Sequence, residues 1–402
     1  MEDHKEIDYF AYAVPYKTLD ITIISTRFPY SKERVESILA STRNDGSLSS
    51  QAISVWLTKP VSLLEECAFV LDYIHILTES KYESLNQENR FHVILRYLLA
   101  CYATLPSSIY FPCIPYLGET FSCFVTCGSK RIQYIAEQCT IHPNTSAFYV
   151  EDDAKEFQIE GTLQPKYLFC GNSIRCMIHG SITIHHKCGD CYSLTFPSIC
   201  ISSLRHGSPE IQLCGKSCLT SNTNYSAGLE FIERSLLGGD ARCVRVLVYE
   251  KDKIVYRLQG RWDIGYEILC DSSQSIKEFL SIQTLKANRR FVLRDDLQGP
   301  MESLQVWKTL RQEMIGGSDC DVSQRILIKS EMKKKQYQKQ MESLSNYSPT
   351  DRLLFTQIDN QLEFRFKQKD QNLCFLEVSR NVDNGIKKAE DIHTLLNVYG
   401  VC

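Results

Sequence analysis

Ser181-Ile-Thr-Ile-His-His-Lys-Cys-Gly-Asp-Cys-Tyr-Ser-Leu-Thr-Phe-Pro197 is the stretch on which the fold class turns. Ile182, Ile184 and His186 alternate with polar positions, Cys188-Gly-Asp-Cys191 supplies a turn, and Tyr192, Leu194 and Phe196 alternate on the way back. Side chains on a strand point to alternate faces, so each run has one apolar side, and two such runs about a short turn form a hairpin. The pattern recurs from Arg242 to Trp262: Val244, Val246 and Val248, a turn at Glu250-Lys-Asp-Lys253, then Ile254, Tyr256 and Leu258. From about 118 to 270 such strands follow one another with no helical period between them. That predicts a large antiparallel sheet or barrel.

Helical signals flank this region. Ser62 and Glu65 have capping-box spacing; behind them Leu63, Leu64, Cys67, Val70, Leu71, Ile74 and Leu77 hold one face to about Thr78. A second helix is predicted from about Gln87 to Thr104, with Phe91, Ile94, Leu98 and Cys101 inward. Val35, Ile38 and Leu39, opposed by Lys32, Glu33, Arg34 and Glu36, make 32–42 a short amphipathic helix. Asn44-Asp-Gly46 and the serines after it mark a break. Asp20-Ile-Thr-Ile-Ile-Ser-Thr26 reads as a strand or extended segment. Toward the C-terminus Met301 to Met314 is one predicted helix. Ser323 to about Leu344 is another, with Lys329, Lys333, Lys334, Lys335 and Lys339.

The 402 residues are 43% hydrophobic and 23% charged, with a net charge of -3. This is ordinary folded composition without the basic excess of a duplex-binding protein, so no nucleic acid is expected as partner. A chain of this length buries enough surface to need no metal or disulfide staple. Its 18 cysteines read as buried, reduced thiols. The acidic start, Met1-Glu-Asp-His-Lys-Glu6, is not that of a signal peptide, and the most apolar helical stretch, His92 to Leu105, carries Arg96. A soluble, cytoplasmic monomer is expected.

Reaction chemistry finds little support. His185-His-Lys-Cys-Gly-Asp-Cys191 holds a C-x2-C with two histidines, but no second ligand pair stands at matching spacing; Cys214 and Cys218 are C-x3-C on another predicted strand. A turn in a cysteine-rich chain accounts for it. No G-x-S-x-G or H-E-x-x-H occurs, and Gly171 and Gly180 fit no phosphate loop. No enzyme activity, cofactor or metal is expected.

Two proline-punctuated tracts border the first strands: Phe111-Pro-Cys-Ile-Pro-Tyr-Leu-Gly-Glu-Thr-Phe121 and Glu137-Gln-Cys-Thr-Ile-His-Pro-Asn-Thr-Ser-Ala-Phe148. In this order and at this spacing they resemble the signature of the oxysterol-binding protein-related family, K-P-x-N-P-x-L-G-E-x-F followed by E-Q-V-S-H-H-P-P-x-S-A-F. Lys59-Pro-Val-Ser-Leu-Leu-Glu65, Gly228-Leu-Glu-Phe231, Leu258-Gln-Gly-Arg-Trp262 and Glu302-Ser303 with Trp307 extend the likeness over roughly 33–345. Asp8-Tyr-Phe-Ala11 faintly resembles the acidic, two-phenylalanine motif that docks family members to endoplasmic-reticulum receptors, with Tyr12 departing from it.

The resemblance implies a β-dominated α+β fold: a large, near-complete antiparallel β-barrel enclosing a lipid tunnel, with N-terminal lid and helices and C-terminal helices. The chain would then divide into an N-terminal extension of unknown role (1–30), a candidate lid (31–50) carrying Val35, Ile38 and Leu39, a helical segment (51–110), the barrel (111–300) and a C-terminal helical region packing on it (301–402). It implies a non-enzymatic carrier of a sterol or phospholipid between membranes, in transient contact with their surfaces. A sensor that binds lipid without transport, or a Cys/His zinc protein or enzyme, are the alternatives. In the family a lysine and an asparagine of the first motif and two histidines of the second hold the phosphates of phosphatidylinositol 4-phosphate. Here those positions read Phe111, Ile114, Ile141 and His142. The family's helical lysine, glutamate and arginine become Lys329, Lys333 and Tyr337. His142, Lys329 and Lys333 are left as candidate headgroup ligands. Each lost charge-assisted hydrogen bond is worth about 1.5–3 kcal/mol, so a weakened or altered phosphoinositide site is expected. The run Lys333 to Lys335 reads either as a solvated helix face or as a dock for anionic membrane.

Overall fold

The computed structural model describes residues 12–31, 55–79, 81–105, 108–205, 208–234, 242–269, 277–317, 319–343, 354–358 and 361–364. Strands β1 (Ala13–Pro15), β2 (Thr58–Ser62) and β3 (Phe111–Cys113) precede a long meander. It begins with β4 (Thr120–Cys127), β5 (Lys130–Ile141), β6 (Asn144–Asp152), β7 (Phe157–Phe169) and β8 (Ile174–His186). It continues through β9 (Cys191–Thr195), β10 (Ser198–Ser202), β11 (Glu210–Ser221), β12 (Tyr225–Ile232) and β13 (Cys243–Glu250). It ends with β14 (Lys253–Arg261), β15 (Gly265–Leu269), β16 (Lys277–Ser281) and β17 (Phe291–Leu293); a separate hairpin, β18 (Phe355–Ile358) and β19 (Gln361–Phe364), comes later. The helices are α1 (Ile21–Arg27), α2 (Leu63–Cys67), α3 (His75–Glu79), α4 (Gln87–Cys101), α5 (Ser303–Val306), α6 (Lys308–Gly316) and α7 (Cys320–Ser343).

Fifteen strands make one sheet in the order β1-β17-β4-β5-β6-β7-β8-β10-β11-β12-β13-β14-β15-β16, with β9 paired to both β8 and β11. Every pairing in it is antiparallel. Phe121, Tyr134, Ile159, Ile182, Leu229, Val246, Tyr266 and Leu280, drawn from the whole length of that order, share one buried core with Leu64, Phe91, Tyr97 and Leu98 of α2 and α4. Strands from both ends of the sheet can meet the same helices only if the sheet curls around them. Its two end strands, β1 and β16, are not paired with each other. Helical residues flank that opening: His92 of α4 lies edge-on to Phe279 of β16 at 5.7 Å, and Arg290, just before β17, pairs with Asp72 at 2.6 Å. The predicted antiparallel wall is present, and helices fill much of its interior.

Local physics explains where the elements depart from expectation. Residues 20–26 form a helix, not a strand. The Asp20 side chain accepts from Thr22 N at 2.9 Å as N-cap, and Ile24 and Phe28, four apart, are buried against Trp56, Leu310 and Met314. Cap and packing outweigh the β-branched run. The helix expected from Ser62 to Thr78 is broken. Its capping box is formed, but α2 gives way to a tight 3-10 turn at Ala68–Leu71 and resumes as α3. Asn288 takes the carbonyls of Leu71 (3.0 Å) and Asp72 (2.7 Å), so a tertiary contact claims groups that a continuous helix would have used itself. The helix expected from Met301 to Met314 is likewise split at Trp307. In the second hairpin Ile254 is 42% exposed rather than inward, because a register shift at Val248/Tyr249 pairs it with Tyr249 and reverses its face. The C-terminal region is not wholly helical: Phe364 of β19 stacks on Tyr149 at 4.4 Å. Val35, Ile38 and Leu39, the 32–42 helix and Asp8 to Ala11 lie outside the described residues.

Gly180 shows how the wall bends. Residues 174–176 of β8 pair with β10, whereas 181–185 pair with β9; Gly180, at φ +126°, sits between. A Cβ there would stand 2.0 Å from the Thr162 carbonyl oxygen. Gly180→Ala is expected to destabilise the fold by about 2 kcal/mol or more, whereas Gly228→Ala, which meets nothing within 4 Å, should stay within about 0.5 kcal/mol. Urea unfolding of the two variants checks this.

Candidate functional site

The first motif is organised by a carboxylate. Chain reversal at Leu117-Gly118, with Gly118 at φ +74°, turns Glu119 inward, where it is fully buried. It accepts hydrogen bonds from Ser62 Oγ (2.5 Å), Ser303 Oγ (2.7 Å), Trp307 Nε1 (3.1 Å) and Tyr116 N (2.9 Å). Burial raises its pKa above the ordinary carboxylate value, and these donors pull it back. Ser62 is also the N-cap of α2, whose Glu65 accepts from Arg311 (2.8 Å) and from Tyr16 OH (2.8 Å). Two buried carboxylates therefore bind the N-terminal strand, α2, the motif turn and α6 into one body.

The second motif is tied to the first. Gln138 N donates to the Glu119 carbonyl and Gly118 N to that of Gln138, both at 2.9 Å. The Gln138 side chain spans the β5–β6 turn, bonding Asn144 at 2.8 Å and Ser146 at 2.5 Å. Buried Glu137 accepts from the Leu354 and Phe355 amides (2.9 and 3.3 Å), docking the β18–β19 hairpin.

The residues singled out as phosphate-ligand positions fall into two groups. Ile114 lies against α7: its carbonyl accepts from Lys334 Nζ at 3.1 Å, while Tyr116 OH donates to the Ser330 carbonyl at 2.7 Å. Tyr337 packs on the apolar cluster that holds Tyr116. Lys329 is exposed and Lys333 half-buried; partial burial and then the Lys329 charge lower the Lys333 pKa. Ile141 and exposed His142 occupy the β5–β6 turn, and among the described residues no hydrogen bond joins His142 to α7. Lys333, Lys334 and Lys335 do not share one environment. At 100° per residue Lys334 points inward and is buried, paired with Glu331 at 2.6 Å, while Lys335 is exposed. The His185–Cys191 turn packs on the helical layer, with His186 stacked on Tyr82 at 3.8 Å; the described residues hold no group of His, Cys, Asp or Glu arranged for a metal.

Phe111 belongs to a hollow behind the motif. Its walls are Leu163, Tyr167, Ile178, Ile199, Ile201 and Ile211 of β7, β8, β10 and β11. Lys59 of β2 and Glu66 of α2 line the inner side. Its volume is about 70 Å³, room for several waters, since one needs about 10–15 Å³. The interior is thus part hollow and part side chain, and a guest of lipid size requires the lining side chains to turn aside. Sequence reading missed Lys59, Glu66 and Lys334 as site residues. No local spacing marks them, because partners from separate elements define their roles.

Beside Glu119 stands half-buried Glu302, whose pKa is pushed up to about 8 from an ordinary 4.5 by burial and by the Glu119 charge. A carboxyl that holds its proton more tightly when folded lends stability that is whole below its ordinary value and lost as pH climbs toward 8. Glu302→Gln removes this loss. Relative to the parent, the variant should gain by up to about 1 kcal/mol per pH unit between pH 5 and 8, read from urea melts across that range. Parallel curves would contradict the assignment.

Comparison with known proteins agrees with this geometry. Residues 38–350 match the family model described as oxysterol-binding protein. Human oxysterol-binding protein-related protein 5 is 25% identical over 330 residues, 79% of this chain and 37% of that protein. Oxysterol-binding protein homolog 6 of Saccharomyces cerevisiae is 26% identical over 283 residues, 68% of this chain and 63% of that one. The chain thus spans a little over a third of the human relative. Among solved structures, the Osh3 ORD of Saccharomyces cerevisiae in complex with PI(4)P superposes with a TM-score of 0.63 at 16% identity, over 85% of this chain and 91% of that one. The Osh1 ORD domain in complex with cholesterol gives 0.62 at 18% identity, over 80% and 83%. At such identities the structural likeness concerns the fold, but the family model covers most of the sequence: the chain belongs to the oxysterol-binding protein family.

Proposed function

We propose that this protein is a carrier that takes one lipid molecule, a sterol or a phospholipid, into the hollow lined by Phe111 and Pro112 and moves it between membranes without altering it covalently. The observation that carries the reading is the hollow itself, walled by aliphatic and aromatic side chains and lined on one side by Phe111 and Pro112 at the start of the first motif. Each CH2 held in water costs about 0.8 kcal/mol, so an apolar chamber removes the main barrier to carrying a lipid through the aqueous phase. Relatives of the same fold have been solved with PI(4)P, cholesterol and ergosterol.

Membrane contact has its own surface. The outward face of α7 presents Arg325, Ile328, Lys329, Met332, Lys335 and Lys339, all exposed, with Met332 at 66%. These positions fall within about 120° of the helix circumference at 100° per residue. From Arg325 to Lys339 no acidic residue stands among them. No described helix is long and apolar enough to cross a membrane. A cytoplasmic protein visiting anionic bilayers with this face fits both facts. Lys335→Glu with Lys339→Glu should weaken binding of the full chain to phosphatidylserine-containing vesicles at least about twenty-fold, at about 1 kcal/mol per charge near the surface.

Phosphoinositide affinity follows from the substituted positions. Ile114→Asn with Ile141→His restores two of the family's phosphate donors and should raise phosphatidylinositol 4-phosphate extraction from vesicles about ten-fold or more. A parent protein that already extracts it as tightly as relatives with intact motifs would contradict the reading. A liposome-to-liposome transfer assay separates carrier from sensor: a sensor binds lipid and transfers none.

A further inference from the structure

Two cysteines stand on the reverse side of the hollow's wall. Ile199 and Ile201 of β10 and Ile211 of β11 line the hollow. Successive strand residues face opposite ways, so Cys200, between the two isoleucines, lies on the outer side, and Cys214 of β11 lies there with it. Cys200 is opposite Gln212 and Cys214 opposite Ser198, which makes the cysteines diagonal neighbours across the ladder. The Cys214 thiol donates a hydrogen bond to that of Cys200. Arg175 of β8 is opposite Cys200 on its other flank and pairs with Glu233, whose carboxylate is also in hydrogen-bond reach of Cys214. Both cysteines are buried, yet the Arg175 and Glu233 side chains beside them are 34% and 45% exposed, so solvent is one side chain away.

These four residues have the parts of an oxidation site. The hydrogen bond from Cys214 lowers the Cys200 pKa below the ordinary thiol value, against the effect of burial. A neighbouring guanidinium favours the thiolate, the nucleophilic form. A second cysteine already in contact is placed to resolve an oxidised first one.

We propose that Cys200 and Cys214 are a peroxide-sensitive pair whose disulfide reshapes the wall of the hollow and restrains cargo exchange. The restraint rests on the carrier reading given above; the bond itself does not. The Cys200 sulfur attacks hydrogen peroxide: an S–O bond forms, the O–O bond breaks, and water leaves with the thiol's proton, giving a sulfenic acid. The Cys214 sulfur then attacks Cys200: the S–S bond forms, the S–O bond breaks, and the hydroxyl leaves as a second water with the Cys214 proton. Both sulfurs are oxidised and one peroxide is reduced. Diagonal neighbours lie about 7–8 Å apart, beyond the about 4.4–6.8 Å between Cα atoms that a disulfide spans, so closing the bond draws β10 and β11 together. Cys214 is the last residue of β11 paired with β10 before the strand passes to β9, so the ladder ends where it must move. The movement reaches Ile199, Ile201 and Ile211, among the side chains that a guest must turn aside. In a reducing cytoplasm such a bond is transient and serves as a sensor rather than a staple.

The full chain tests this after treatment with hydrogen peroxide, by digestion without reduction and mass mapping. The expected product joins the Cys200 and Cys214 peptides with the loss of two hydrogens, and dithiothreitol releases it. Transfer between phosphatidylcholine vesicles of whichever probe the reduced chain carries, a fluorescent sterol or a fluorescent phospholipid, should slow about five-fold or more on oxidation. It should recover on reduction of the same sample, and Cys200→Ser should lose both the cross-link and the peroxide effect. Peroxide that oxidises other cysteines and leaves these two as thiols overturns the proposal, as does a cross-linked chain that transfers as fast as the reduced one. A reduced parent that transfers neither probe overturns the carrier reading and the restraint with it, while the peptide map still decides the bond.

Discussion

A carboxylate without water sets the geometry of this protein. Glu119 is buried with four donors around it, contributed by β2, the motif turn and the start of the C-terminal helices. A hydrogen bond to a charged group is worth about 1.5–3 kcal/mol, so each of these elements is held at the place where its donor meets the carboxylate. The consequences spread outward. Ser62, fixed on Glu119, starts α2 and so places Glu66 opposite Lys59; Trp307, fixed on the same oxygens, leads into α6 and then α7. Lys59 and Glu66 on the hollow's inner side and the basic helix α7 are positioned by the same knot.

The arrangement separates tasks between the two halves of the wall. The sheet from β7 to β11 supplies apolar area with little polar chemistry. The N-terminal layer supplies the Lys59–Glu66 ion pair, and α7 shows cations and two apolar side chains outward while its inner face, through Leu327, Ser330 and Lys334, grips the motif loop. The exposed basic face of α7 is thereby attached directly to the first motif's loop.

Much of the fold was legible because period-two alternation survives in antiparallel strands with one buried face, as at Ile182 to Phe196. It failed where a tertiary contact overruled a local pattern: Asn288 on the Leu71 and Asp72 carbonyls split a helix, and the register shift at Val248 turned Ile254 outward. The two motifs marked the neighbourhood of the site, yet Glu119 gave no sign of its role, since its donors come from residues 62, 303 and 307. The hollow was illegible residue by residue, its wall being assembled from alternate positions on strands far apart in sequence. Lys334 and Lys333, adjacent in the chain, differ by a 100° rotation that decides which is buried.

Native mass spectrometry of the full chain purified from a eukaryotic host addresses the central claim most directly. The account predicts a saturable adduct of one lipid per polypeptide, released on unfolding and identified by extraction as a sterol or a phospholipid. A chain that emerges bare, or that carries a variable number of lipids shed without unfolding, would contradict it.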